Sequence, residues 1–259
     1  MACMNINRIF LIVFFALSYI SSLAYANKLK IITEEYAPIS FTENGKVTGL
    51  AVEVVEEILA KTNDKTKIQV LPWARGYKMV EERKNTVLFS MSATPEREKL
   101  FTLIGPIAIG KLSLYSIKGN NLSLSSLDEI GKLKVGVTRE GFAEQLLTKQ
   151  GVTNLKQAIK PLTNAQKLMN KRIDLWAVSS VTVGDILKQA GFSLLDIEKK
   201  YTFFEDKLYI CFSKNSDQKV VTLWLATLKA MKQDGSFSTI YKRWFPTEEP
   251  PLEVERIGI

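Results

Sequence analysis

From residue 29 onward, short apolar runs alternate with stretches in which apolar side chains return every three or four positions. Leu29 to Thr33 (LKIIT) predicts a short buried strand, and Leu50, Ala51, Val54, Val55, Ile58 and Leu59 then recur at the spacing of one helix face. A loop bearing Pro, Gly and Asn lies between them, so the first unit is strand, loop, helix. Ile68 to Leu71 predicts a second strand that stops at Pro72. Trp73, Tyr77 and Val80 continue on one helical face, and Val87 to Met91 (VLFSM) predicts a third strand. After Gly110 the alternation restarts, with strands at Lys134 to Thr138 and Ile173 to Val178 and helices near Ala143 to Lys149 and through Ile186 and Leu187. Two α/β sets of about 90 residues each predict two lobes.

Towards the end of the chain, Asp217 to Asp234 reads as one broad helix capped by the Ser216 hydroxyl. Gly235 ends it, Ser236 opens the next helix, and Ile240, Tyr241 and Trp244 close the core. The tail from Pro246 to Ile259 carries Pro246, Pro250 and Pro251 and no periodicity, which predicts a mobile segment.

The N-terminus has a different pattern. Met1 to Arg8 holds one positive charge and no acid, and Ile9 to Leu17 is an unbroken apolar run followed by SYISSLAYA. This is the n, h and c arrangement of a secretory signal, with small residues at Ala24 and Ala26 where a signal peptidase reads. The run is shorter than the roughly 20 apolar residues a membrane span needs. Residues 1–26 are therefore expected to be a signal peptide cleaved after Ala26, which places the mature chain in a periplasm. Cys211 is then the one cysteine left, and nothing remains for it to pair with internally.

Composition narrows the chemistry. With 259 residues, 46% hydrophobic and 24% charged, the chain can bury a sizeable core. It contains no histidine and two cysteines, which removes histidine-based catalysis, the usual zinc sites and a disulfide scaffold. No metal and no cofactor are expected. The formal charge of +8 is spread among 27 acidic residues, so it suits a small anionic group better than a nucleic acid. Gly105 to Leu112 (GPIAIGKL) falls short of a phosphate loop because leucine, not Ser or Thr, follows the lysine.

Thr94-Pro95-Glu96-Arg97 is more informative. A capping hydroxyl, a proline at the first helical position and an arginine follow directly on a predicted strand. At the carboxyl edge of an α/β sheet, such an arginine and the free amides of a helix start can take a carboxylate in parallel hydrogen bonds. A surface salt bridge of Arg97 to Glu96 or Glu98 is the alternative.

The segments YAPISFTENGKVTGLAVEVVEEIL, ATPERE with the later GPIA, SLDEIGKLKVGV and LKAMKQDGSFSTIYKRWF, in that order, resemble the amino-acid-type periplasmic solute-binding proteins of extracellular solute-binding protein family 3. The resemblance implies a type II periplasmic-binding-protein fold: two α/β lobes, each a sheet flanked by helices, joined by two crossing strands with the ligand between them. It implies lobe one at 27–109 and 210–259 and lobe two at 110–209, with crossings near Ile109 to Leu112 and Glu205 to Tyr209. By the same resemblance Arg97 grips an α-carboxylate, Ser90 and Ser92 contact ligand from the strand end, and Tyr36 closes over its side chain. Tyr36 as core packing is the other reading.

In lobe two this chain departs from the family's pattern. No hydroxyl follows Gly141 in Thr138-Arg139-Glu140-Gly141-Phe142, and Ser179 stands where an aspartate holds the ammonium. Either Glu34 or Glu35 supplies the missing carboxylate, or the ligand is no ordinary α-amino acid. Arg139, Gly141 and Phe142 are expected to contact ligand from the lobe-two turn. Trp73 and Arg75 are expected to wall the cleft, although Trp73, like Trp176, also fits a core position.

The expected function is capture of a small, polar, carboxylate-bearing solute, with an amino acid or derivative the leading candidate, for an inner-membrane ABC permease by a monomer that catalyses nothing and binds no nucleic acid. Two alternatives are a ligand-sensing module for a membrane receptor and a cyclohexadienyl-dehydratase-like lyase.

Overall fold

The computed structural model describes residues 29–259, so the signal segment read from the sequence lies outside the described residues. Strand β1 (Lys30–Thr33) leads into the hairpin β2 (Phe41–Glu43) and β3 (Lys46–Thr48). Asn44 and Gly45 turn this hairpin with φ of 50° and 78°, the positive pair that lets two strands reverse in two residues. Helix α1 (Leu50–Lys61) buries Leu50, Ala51, Val54, Val55, Ile58 and Leu59, the face its periodicity predicts. Gly49 before it has φ +123°, and a Cβ there would sit 2.5 Å from the Ile39 carbonyl oxygen, so no other residue fits. Strand β4 (Ile68–Val70), helix α2 (Trp73–Glu82), strand β5 (Thr86–Ser92) and the short helix α3 (Pro95–Glu98) complete this half.

The chain then crosses on β6 (Phe101–Ile117), a strand of 17 residues. The second half follows as β7 (Val135–Thr138), α4 (Phe142–Lys149), β8 (Leu155–Ala158), α5 (Pro161–Met169), β9 (Leu175–Ser179) and α6 (Val183–Gln189). Strand β10 (Ile197–Ser213), also 17 residues, returns to the first half, where α7 (Gln218–Gln233), α8 (Ser236–Trp244) and β11 (Glu255–Gly258) end the chain.

Strands β6 and β10 pair antiparallel from Phe101 opposite Ser213 to Ile117 opposite Ile197. The N-terminal part of β6 and the C-terminal part of β10 belong to one sheet, ordered β4-β1-β5-β10-β6 with β11 on the outer edge of β6. Their other ends join β9, β7 and β8. Pairings β1–β4, β1–β5, β7–β8 and β7–β9 are parallel, and helices cover their faces. Each sheet has its own core, one built around Leu50, Val54, Phe212, Trp224 and Tyr241, the other around Leu168, Trp176 and Ile186. Trp176 is thus a core residue. The architecture is the two-lobed α/β fold with two crossing strands.

Two expectations are corrected. The tail is not loose: Glu255 to Gly258 pair with Gly105 to Thr102 of β6, and buried Lys232 donates to the carbonyls of Glu253 (2.7 Å) and Pro106 (2.6 Å). An unpaired sheet edge recruits this strand, and such an edge leaves no periodic mark on the segment that fills it. Ser216 is not the cap of α7 either. Asp217 accepts from the Lys219 amide at 2.9 Å, while the Ser216 hydroxyl bonds Ser213.

Candidate functional site

The end of β5 makes the site. Thr94 Oγ1 accepts from the Arg97 amide at 3.0 Å and Pro95 occupies the first helical position, so the cap read from the sequence fixes where Arg97 emerges. Its side chain turns inward and is fully buried. Arg97 Nη1 donates to the Ser92 carbonyl at 2.8 Å, and its guanidinium lies over the rings of Trp73, Tyr77 and Phe142 at 5.3, 5.4 and 5.7 Å. Nε and Nη2 have no partner among the described residues. The surface-salt-bridge alternative is excluded, because Glu96 instead accepts from Lys149 at 2.7 Å. Burial pulls the Arg97 pKa down, against the opposing pull of Tyr77, Cys211 and Asp206.

Asp206, on β10 and 2% exposed, accepts a hydrogen bond from the Ser92 hydroxyl. Burial pushes its carboxyl above the usual range, while the nearby hydroxyls of Ser92 and Ser179 and the charge of Arg97 pull it back. Ser92 therefore holds both poles, its carbonyl on the guanidinium and its hydroxyl on the carboxylate. Glu34, just beyond β1 and 9% exposed, is pushed up to about 8 by burial; Arg97 lowers it and Glu35 raises it.

Ser90 is the extra residue of a β-bulge. Phe89 pairs with Ile210 and Met91 with Tyr209, leaving Ser90 between them with φ 69° and a buried hydroxyl that has no partner among the described residues. Such a left-handed serine inside a strand costs energy of order 1–3 kcal/mol, and bulges of this kind re-aim side chains at binding sites.

These groups enclose a cavity of about 70 Å³. Glu34, Tyr36, Trp73, Ser90, Ser92 and Arg97 wall one side; Leu112, Thr138, Phe142, Ala143, Ala177 and Val178 wall the other; Asp206 and Leu208 lie on the strand between them. The second wall carries no charge. Tyr36 is half-buried, and burial together with Asp206 raises its phenol pKa. Besides the stacking of Arg97 on Phe142, a hydrogen bond from Trp73 Nε1 to the Glu140 carbonyl at 2.8 Å and an ion pair of Lys149 with Glu96 span the cleft.

Seven of the residues read from the sequence converge here: Arg97, Ser90, Ser92, Tyr36, Glu34, Trp73 and Phe142. Five do not line the cavity. Glu35 is exposed and accepts from the Thr42 amide (3.0 Å) and hydroxyl (2.6 Å), because the residue after Glu34 points the opposite way. Arg75 is exposed, two positions and about 200° of helical turn from Trp73. Arg139 is exposed at the exit of β7, its amide on the Ala158 carbonyl. Gly141 is the N-cap of α4 and donates to the Thr138 carbonyl; a Cβ would meet that oxygen at 2.8 Å, so it shapes the turn. Ser179 is fully buried with its hydroxyl beside Asp206, but it is not among the residues lining the cavity.

Asp206, a second buried carboxylate lining the cavity, was passed over by the sequence reading. One signal was available. Asp206 and Leu208 share a strand face, so a lone acid precedes an apolar row that enters the core.

Fold and cavity together define a two-lobed solute-binding protein. Residues 29–247 match the profile of "Bacterial extracellular solute-binding proteins, family 3", and the chain belongs to that family. The L-cystine-binding protein TcyA of Bacillus subtilis is 24% identical over 81% of this chain and 78% of its own length. A probable histidine-binding protein of Campylobacter jejuni is 26% identical, covering 81% of each chain. A histidine kinase sensor domain with similarity to periplasmic binding proteins superposes with a TM-score of 0.78 at 17% identity, covering 86% of this chain and 99% of that one. The curated relatives are binding proteins, and this chain is a binding protein rather than an enzyme. Among the described residues no helix is long and apolar enough to cross a membrane.

Proposed function

We propose that the protein captures an amino acid or a close derivative in the interlobe cavity and delivers it to an ABC importer. One observation carries this reading: buried Arg97 keeps two guanidinium nitrogens unpaired within the same small cavity as buried Asp206. A carboxylate on Nε and Nη2 and an ammonium on Asp206 would satisfy both groups, and leaving either unpaired is costly. Relatives that bind cystine or histidine support a ligand with these two groups.

In this reading lobe one spans 27–109 and 210–259 and lobe two 110–209. The open protein takes the ligand on lobe one and the crossing strand. Lobe two then adds uncharged walls that expel water, so the liganded population shifts to the closed form. The protein works as a monomer in the periplasm after cleavage behind Ala26. The likeness to a kinase sensor domain favours one second reading, in which the closed form is presented to a membrane receptor.

The test is a thermal-shift screen of refolded residues 27–259 against amino acids, dicarboxylates, polyamines and sugars. A ligand at about 100 times its Kd adds about 2.7 kcal/mol. Stabilisation by an amino acid that disappears in Arg97→Ala is expected; a response confined to sugars or polyamines would overturn the reading.

A further inference from the structure

The cavity holds one acidic group more than a neutral amino acid can answer. Its charged lining groups are Arg97, Asp206 and Glu34. A zwitterion satisfies Arg97 with its carboxylate and Asp206 with its ammonium, which leaves Glu34 unanswered. The Glu34 backbone is pinned, its carbonyl accepting from the Ser40 hydroxyl at 2.9 Å, yet its carboxyl receives no hydrogen bond from the described residues. A carboxyl buried to this degree without a partner is expensive. The rings of Tyr36, Trp73 and Phe142 also line the space and present faces that attract cations.

We propose that the protein selects an amino acid with a cationic side chain, and that Glu34 is the residue that reads that charge. The proposal rests on the amino-acid reading above and adds the ligand's net charge to it.

The charge of the ligand sets the sign of its pH dependence. Glu34 faces Arg97, Asp206 and Tyr36, with Glu35 beside it, and burial in the ligand-free cavity pushes it up to about 8. A neutral ligand closes over protonated Glu34, so its affinity stays level as pH rises to about 8. A cationic ligand needs Glu34 ionised and must displace its proton, so its affinity rises over that range.

The test is calorimetric titration of the refolded protein with ornithine, lysine, norvaline and glutamine at about pH 6 and pH 8, using the unmodified chain, Glu34→Gln and Arg97→Ala. Ornithine or lysine is expected to bind at least about tenfold tighter than the neutral pair at about pH 8 and to gain affinity from about pH 6 to about pH 8, while the neutral pair stays level. Glu34→Gln should abolish that preference and the pH dependence that goes with it, and thermal melts establish that it is folded. Neutral ligands that bind as tightly as ornithine, through Arg97, would overturn this proposal and leave the amino-acid reading standing. A cation preference that survives Glu34→Gln would overturn the role of Glu34. Absence of binding by any amino acid would remove both readings.

Discussion

Trp73 donates its indole N–H to the Glu140 carbonyl at 2.8 Å, joining the start of α2 to the turn before α4 across the cleft. The same ring stacks on the Arg97 guanidinium, so the group that covers the anion site also holds the lobes together. Trp73→Phe keeps the ring and loses the donor. A neutral hydrogen bond contributes about 0.5–1.5 kcal/mol, so ligand affinity should fall about 2- to 13-fold. Stopped-flow measurement should find the change in the dissociation rate; an unchanged rate would mean the contact plays no part in closure.

Asp206→Asn separates a binding role from a structural one. Burial raises the Asp206 pKa, so its ionised form disfavours folding once pH exceeds the ordinary carboxylate range. Asparagine removes that cost and still accepts from the Ser92 hydroxyl. The ligand-free variant should melt at or above the unmodified protein at pH 7, while amino-acid affinity drops about 100-fold or more. Loss of stability together with affinity would make Asp206 a structural residue.

Lys232 ties the C-terminal strand down. Burial lowers its pKa from 10.5 to about 8, with Glu253 and Glu255 pulling it back up. The unfolded chain therefore holds more protons between about pH 8 and 10.5, and this group makes stability rise with pH across that window. Lys232→Met abolishes that rise and frees the carbonyls of Pro106 and Glu253. Hydrogen exchange should quicken at Glu255 to Gly258 and stay slow along β5; equal protection in both proteins would show that β11 holds without the lysine.

Local pattern made helix α1 and strand β5 legible, whereas helix α5 and strand β8, with few apolar positions, were not read. The α1 face is the periodic one, and β5 extends its predicted run by one residue at each end. Thr94 and Pro95 placed Arg97 at a helix start, but the family resemblance chose an anion grip over a salt bridge, and Glu34 was one of two candidates for a missing carboxylate. Glu35, Arg75 and Arg139 share segments with cavity residues, but the pleat of a strand and the pitch of a helix turn them to solvent.

Local pattern by itself determined the two α/β sets and the capped start of α3 that carries Arg97, because periodicity and capping act within a few residues. Tertiary structure alone decided what the arginine faces. Ser92 and Asp206 lie 114 positions apart and meet only because β5 pairs with the C-terminal part of β10. The bulge that aims Ser90 and the edge that receives β11 arise from the same kind of long-range pairing. A buried charge is defined by its surroundings, and those are assembled from distant parts of the chain.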